Sequence, residues 1–192
     1  MNLISLFITS LLTENIVLTK FLGLCPFFGN SSKEKNAVSM GICVTLITTI
    51  SSIITFFLNK YILIPTNTTY LKTLMFILVI ASLVQILVLI LKNKYKKVYK
   101  NLGIYLSLIT TNCAVLGVVL LNVNNANSLI ETIIYSLGSG LGFMIVIYVF
   151  STIRERLDNS DVPESFKGIP IAFITAAIMS LIFTRLIGKW VI

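Results

Sequence analysis

Six apolar runs, each near the length that crosses a bilayer as a helix, leave this chain little room to become anything but a membrane bundle. A hydrocarbon core about 30 Å thick takes roughly 20 residues of helix at about 1.5 Å per residue. The runs cover residues 3–29, 37–58, 70–91, 98–121, 129–153 and 169–187 of 192. With 56% hydrophobic residues, 11% charged residues and a mean hydropathy of +0.96, the chain has no stretch left for a water-soluble domain. A lone span must satisfy its own backbone hydrogen bonds, so all six runs are read as helices. The expected fold is an all-α integral membrane protein with six transmembrane helices. The first run opens on Met1-Asn2-Leu3, without a basic segment or a small-residue cleavage site, and is expected to remain as a span.

The net charge of +8 does not point to nucleic acid, because the basic residues fall between the apolar runs instead of on one folded face. They follow the positive-inside rule. One side holds Lys33, Lys35, Lys92, Lys94, Lys96, Lys97, Lys100, Arg154, Arg156 and Lys167; the other holds Lys60, Lys72, Arg185 and Lys189. The richer side is expected to be cytoplasmic, with both termini outside in the periplasm, and Lys20 is assigned to neither. Three crossings then separate residues 1–91 from residues 101–192, with the basic cytoplasmic loop 92–100 between them in a single membrane domain. Helices in corresponding places run in opposite directions, so the halves form two inverted three-helix repeats.

The trace of that repeat is a shared Cys-x-x-x-Gly: Cys25-Pro26-Phe27-Phe28-Gly29 in the first run and Cys113-Ala114-Val115-Leu116-Gly117 in the fourth. Leu18-Thr19 and Leu106-Ser107 stand at the same offset of 88 residues. The second cysteine lies in Ile109-Thr110-Thr111-Asn112-Cys113, which fills the centre of an apolar run with polar side chains. Polar groups at that depth mark functional sites in repeat proteins, where broken helices let them face each other instead of lipid. Pro26 removes a backbone donor and is expected to break the first helix beside Cys25. Helices 1 and 4 are thus read as interrupted near the cysteines, whose thiols a pseudo-two-fold axis brings toward each other.

As plain packing, both cysteines are small buried hydrophobes. As ligands, two are too few for a closed iron-sulfur or zinc site, which usually takes four. A metal reading therefore needs two more cysteines from a partner chain, and a two-thiol copper site stays open beside it. The absence of histidine excludes a His-ligated haem, a His-containing metal site and a His proton relay. Cys43 has no counterpart in the other half and reads as packing. Gly138-Ser139-Gly140-Leu141-Gly142 reads as close helix approach. The Thr48-Thr49 and Ser51-Ser52 pairs read as interhelical hydrogen bonding.

Glu14, Lys20 and Gln85 are polar at membrane depth, and an ionisable group there is a functional candidate. The 88-residue offset sets Glu14 opposite Leu102, close to an interface, so snorkelling or a Glu14–Lys20 contact is expected. Arg154-Glu155-Arg156 reads as a solvated helix end that anchors the fifth span beside a soluble partner. Beside a metal site completed by a partner chain, two function classes fit: a small-solute or ion carrier with incidental cysteines, and a structural scaffold subunit without its own redox site.

Four segments carry a family resemblance. Lys20-Phe21-Leu22-Gly23-Leu24-Cys25-Pro26-Phe27, Ile109-Thr110-Thr111-Asn112-Cys113-Ala114-Val115-Leu116-Gly117, Ile153-Arg154-Glu155-Arg156-Leu157 and Asp161-Val162-Pro163 resemble the A subunits of the Rnf/Rsx ion-translocating oxidoreductases. These are similar to the E subunit of the sodium-pumping NADH:quinone reductase (Nqr), and the resemblance spans essentially the whole chain. It implies a multi-pass subunit of the bacterial inner membrane, not catalytic alone, in a multi-subunit complex. A homologous membrane subunit of opposite topology is its implied partner, and two cysteines from each hold a [2Fe-2S] cluster. Carried over by motif, the ligands here are Cys25 and Cys113, with Thr110, Thr111, Asn112, Gly29 and Gly117 around them. The implied activity is electron transfer coupled to Na+ or H+ translocation; in the Rsx version the electrons keep a redox-sensing transcription factor reduced.

Overall fold

The computed structural model describes residues 3–29, 31, 34–65, 71–94, 112–125, 127–158, 160 and 163–188, and eight α-helices lie among these described residues. In order they are α1 (Leu3–Ile8, continued by a π-helical turn over Thr9–Thr13), α2 (Ile16–Lys20), α3 (Leu24–Gly29) and α4 (Glu34–Leu58, continued by a π-helical turn over Asn59–Leu63). They continue as α5 (Lys72–Lys94), α6 (Cys113–Asn124), α7 (Leu129–Asp158) and α8 (Ile169–Gly188). No strand occurs among the described residues. Among the described residues, three helical stretches are long and apolar enough to cross a membrane, Asn36–Leu63, Lys72–Ile90 and Leu129–Leu157, and three shorter apolar ones are Leu3–Thr13, Cys113–Asn124 and Ile169–Arg185. Each falls within or over one of the six apolar runs. Residues 98–111 of the fourth run, with Thr110 and Thr111, and residues 95–100 of the basic loop lie outside the described residues.

The central packing is α4 along α7. Lipid is as apolar as leucine, so helices in it are held by close van der Waals contact, and small residues permit that. A Cβ on Gly140 would stand 2.8 Å from the Thr45 Cα, and one on Gly41 would stand 3.1 Å from the Met144 Cα. Another face of α7 receives α1: a Cβ on Gly142 would stand 2.7 Å from the Leu11 carbonyl oxygen, and one on Gly138 would stand 3.1 Å from that of Phe7. The Gly138–Gly142 segment thus lets two helices approach, as its composition suggests. Met40, Val44, Ile47, Val115, Phe143, Val146, Ile147 and Phe150 fill the core between α4, α6 and α7. α5 adds Phe76, Ile80 and Val84 from one stripe, yet only 17% of its apolar window is buried; Gln85 lies on the exposed side.

The hydroxyls on α4 act differently from the sequence expectation. Thr48 Oγ1 donates to the Val44 carbonyl at 2.6 Å, Thr49 to Thr45 at 2.8 Å and Thr55 to Ser51 at 2.6 Å. These threonines bond their own helix instead of bridging to another, because the carbonyl four residues back is within reach, whereas the buried Ser51 and Ser52 Oγ have no partner among the described residues. Bonds between helices come from elsewhere: Ser180 Oγ of α8 donates to the Leu18 carbonyl of α2 at 2.7 Å, and Asn122 Nδ2 to Ser136 Oγ at 3.0 Å.

The first apolar run is broken twice, and neither break is at Pro26. One falls at Glu14 and Asn15, where the Asn15 side chain accepts the Val17 N–H at 3.2 Å and starts α2. The other is the left-handed pair Phe21 (φ 54°) and Gly23 (φ 83°), after which α3 begins. Pro26 sits in the first turn of α3, where the missing N–H would have no helical partner anyway, so the ring is tolerated there. Asn112 makes the same cap as Asn15, accepting the Ala114 N–H at 3.0 Å at the start of α6. That likeness pairs Asn15 with Asn112, 97 positions apart, whereas the Cys-x-x-x-Gly motifs pair at 88.

Candidate functional site

Cys113 is the first residue of α6 and is half-buried. Its Sγ accepts the backbone N–H of Gly23 at 2.9 Å, a contact between residues 90 apart in sequence. The link between α2 and α3 can lie this close because of what it lacks. A Cβ on Gly23 would stand 2.9 Å from the Ala114 Cβ and 3.2 Å from the Phe143 ring, and Leu22 occupies the space a Cβ on Gly117 would need. Gly23 also carries a left-handed backbone that side chains disfavour.

Cys25 is the second residue of α3, two positions beyond Gly23, and is exposed. The rest of α3 is held from behind. Pro26 and Phe27 are buried; Phe27 stacks on Phe150 of α7 with centroids 4.4 Å apart, and Phe28 lies 4.3 Å from Phe173 of α8. Arg154 Nη1 donates to the Phe28 carbonyl at 2.8 Å and to Ser31 Oγ at 3.0 Å, satisfying the C-terminal end of the helix with a charged donor. This corrects the reading of Arg154 as part of a solvated helix end: its neighbours Glu155 and Arg156 are exposed, while Arg154 turns inward. Gly29 closes α3 at an exposed position.

The three cysteines are free thiols. Cys43 is half-buried against the core, as its packing role predicts. Among the described residues no group of three or more His, Cys, Asp or Glu side chains gathers into a metal site. Asn112, buried to 3% exposure, spends its Oδ1 on the α6 cap and leaves Nδ2 without a partner among the described residues. Glu14 makes no ion pair with Lys20, which is exposed at the end of α2; its partner is Tyr135, whose hydroxyl donates to Oε2 at 2.8 Å. Sequence reading missed Gly23 and Tyr135. The Gly-x-Cys spacing signals the first, and nothing local signals the second.

Apolar helices packed through glycines, a twice-broken first run and two cysteine segments joined at one contact define a membrane protein whose site is built at helix interruptions. The sequence matches the family described as "Rnf-Nqr subunit, membrane protein" over residues 3–189. It is 49% identical over 185 residues to a protein of Actinobacillus pleuropneumoniae named as the A subunit of an ion-translocating oxidoreductase complex, covering 96% of each chain. A protein of the same name from Shewanella oneidensis is 49% identical over 183 residues, covering 95% of each. The chain belongs to the Rnf-Nqr family of membrane subunits.

Proposed function

We propose that this chain is the A-type subunit of an ion-translocating oxidoreductase complex, and that Cys25 and Cys113 hold half of an intramembrane [2Fe-2S] cluster. A homologous subunit of opposite topology supplies the other two thiols. The chain itself crosses the bacterial inner membrane six times as two inverted repeats, with both termini outside, and serves coupling of electron transfer to Na+ or H+ movement.

The observation that carries this reading is the Gly23 N–H donated to Cys113 Sγ at 2.9 Å. It joins the two cysteine segments across 90 residues, while Cys25 stays exposed for a partner to meet. Two thiols, an N–H donor on one sulfur and an apolar surround suit one half of a thiolate-ligated cluster, because iron-sulfur potentials respond to hydrogen bonds on sulfur and to burial. The bound cluster supplies a one-electron relay within the membrane. Asn112 sets the turn that carries Cys113, and Arg154 with Phe27 and Phe28 fixes the helix that carries Cys25.

The test is iron content and electron paramagnetic resonance of the dithionite-reduced, detergent-purified complex, for wild type beside Cys25→Ala and Cys113→Ala. The expected result is one signal, and its share of iron, lost equally from both variants while the other clusters of the complex remain. Unchanged iron and spectra in assembled variants would return both cysteines to packing.

A further inference from the structure

We propose that Asn112 sets the potential of the cluster held at Cys113: its side-chain amide Nδ2 donates a hydrogen bond to a cluster sulfur and makes reduction easier. This rests on the cluster reading above, and the experiment below separates the two.

Asn112 immediately precedes Cys113, and the two polar atoms of its side chain are used differently. Oδ1 accepts the Ala114 N–H at 3.0 Å and caps α6. Nδ2 has no partner among the described residues, in a side chain only 3% exposed. A buried donor without an acceptor is costly. The amide group is planar, so Nδ2 cannot turn elsewhere without breaking the cap. A sulfur of the proposed cluster supplies the missing acceptor.

The chain contains its own comparison. Asn15 makes the same cap at the start of α2, accepting the Val17 N–H at 3.2 Å, but its Nδ2 donates to the Leu11 carbonyl at 3.4 Å. Asn15 is followed by Ile16, Asn112 by Cys113. Of two like caps, the one with a spare donor is the one beside a thiol. Both the amide and the thiol lie against Gly23: a Cβ there would stand 3.4 Å from Asn112 Oδ1, and the Gly23 N–H reaches Cys113 Sγ at 2.9 Å. The other atoms around that position, the Ala114 Cβ and the Phe143 ring, offer no acceptor. Capping alone does not require an amide, since Ser and Asp cap about as well. Asn adds to the capping oxygen a separate, neutral N–H donor. Reduction places one electron on the cluster without making or breaking a bond and leaves its sulfurs more negative. A donor on sulfur therefore stabilises the reduced form more than the oxidised one.

The test is a redox titration of the detergent-purified complex, following by electron paramagnetic resonance the signal that Cys113→Ala removes. Asn112→Ser and Asn112→Asp both keep a capping oxygen and lose the amide. In Asn112→Ser the ratio of reduced to oxidised cluster at a fixed potential should fall about tenfold, the scale of one hydrogen bond to a charged group, which is about 59 mV for a one-electron couple. Asn112→Asp should lower it further, and the thermal midpoint of Asn112→Ser should stay near that of wild type because the cap remains. Electron-nuclear double resonance of wild type, from cells supplied with asparagine carrying nitrogen-15 in its side-chain amide, should show that nitrogen weakly coupled to the reduced cluster. This measurement needs no variant, so a fold defect cannot mask it. An unmoved potential in Asn112→Ser, or no amide-nitrogen coupling in wild type, overturns the role of Asn112 while leaving the ligands in place. A signal that survives Cys113→Ala overturns the cluster reading and this inference with it.

Discussion

Gly23 shows how much one residue can be asked to do. Its φ of 83° is left-handed, its N–H reaches the Cys113 sulfur, and its missing side chain admits Ala114 at contact distance. Gly168 has a similar φ of 86° with nothing within 4 Å of the Cβ position, and is an internal control. Gly168→Ala should cost about 1 kcal/mol, the backbone share alone. Gly23→Ala should cost roughly 2–4 kcal/mol, because the clash adds to the strain. Thermal unfolding of the purified complex measures both, and only Gly23→Ala should also weaken the iron signal of the proposed cluster. Asn112→Ala removes the α6 cap and should lower stability by about 1 kcal/mol in the same assay. Equal losses at the two glycines would mean that the approach to Ala114 contributes nothing.

Helices meet in this chain where glycine lets them. α7 presents Gly140 to Thr45 of α4 and Gly138 and Gly142 to α1, so one helix spaces two neighbours. Gly140→Ala places a methyl group against backbone and should destabilise the fold by about 1–3 kcal/mol, whereas Leu141→Ala at the adjacent exposed position should change stability little. Thermal midpoints in detergent separate the two. α3 depends on neighbours in another way: six residues are too few to hold a helix alone, and the stacked Phe27 and Phe28 with the Arg154 donor hold it instead. Arg154→Ala should loosen α3 and reduce occupancy of the proposed cluster without removing a proposed ligand, and Arg154→Lys, lacking the forked donor set, should restore it only in part.

For the molecule as a whole, exposure marks where something else belongs. Cys25 is exposed, α5 buries one stripe and leaves Leu74, Leu78, Ile86 and Leu89 outward, and Gln85 sits on that outer side. Lipid covers apolar side chains readily but gains nothing from a thiol or an amide. When the chain is purified by itself, a membrane-permeant maleimide should modify Cys25 readily and Cys43 slowly; in the assembled complex Cys25 should be protected. Peptide mass spectrometry reads both sites, and equal reactivity of Cys25 in the two samples would mean that no partner covers it.

The apolar runs determined that the described chain is helical, since a segment in a bilayer must bond its own backbone. The close-packing role of Gly138–Gly142 and the packing of Cys43 were legible for the same local reason. Three features were decided only when the chain folded. The break in the first run fell at Glu14–Asn15 and at Phe21–Gly23, because a proline in a first turn loses no hydrogen bond and the strongest local breaker was therefore harmless. Arg154 turned inward because a carbonyl from a helix 126 residues earlier needed a donor. Glu14 found Tyr135, 121 residues away, instead of Lys20 in its own run. Periodicity and propensity describe a residue's near neighbours; partners this distant are chosen by which helices pack, and that is a property of the whole bundle.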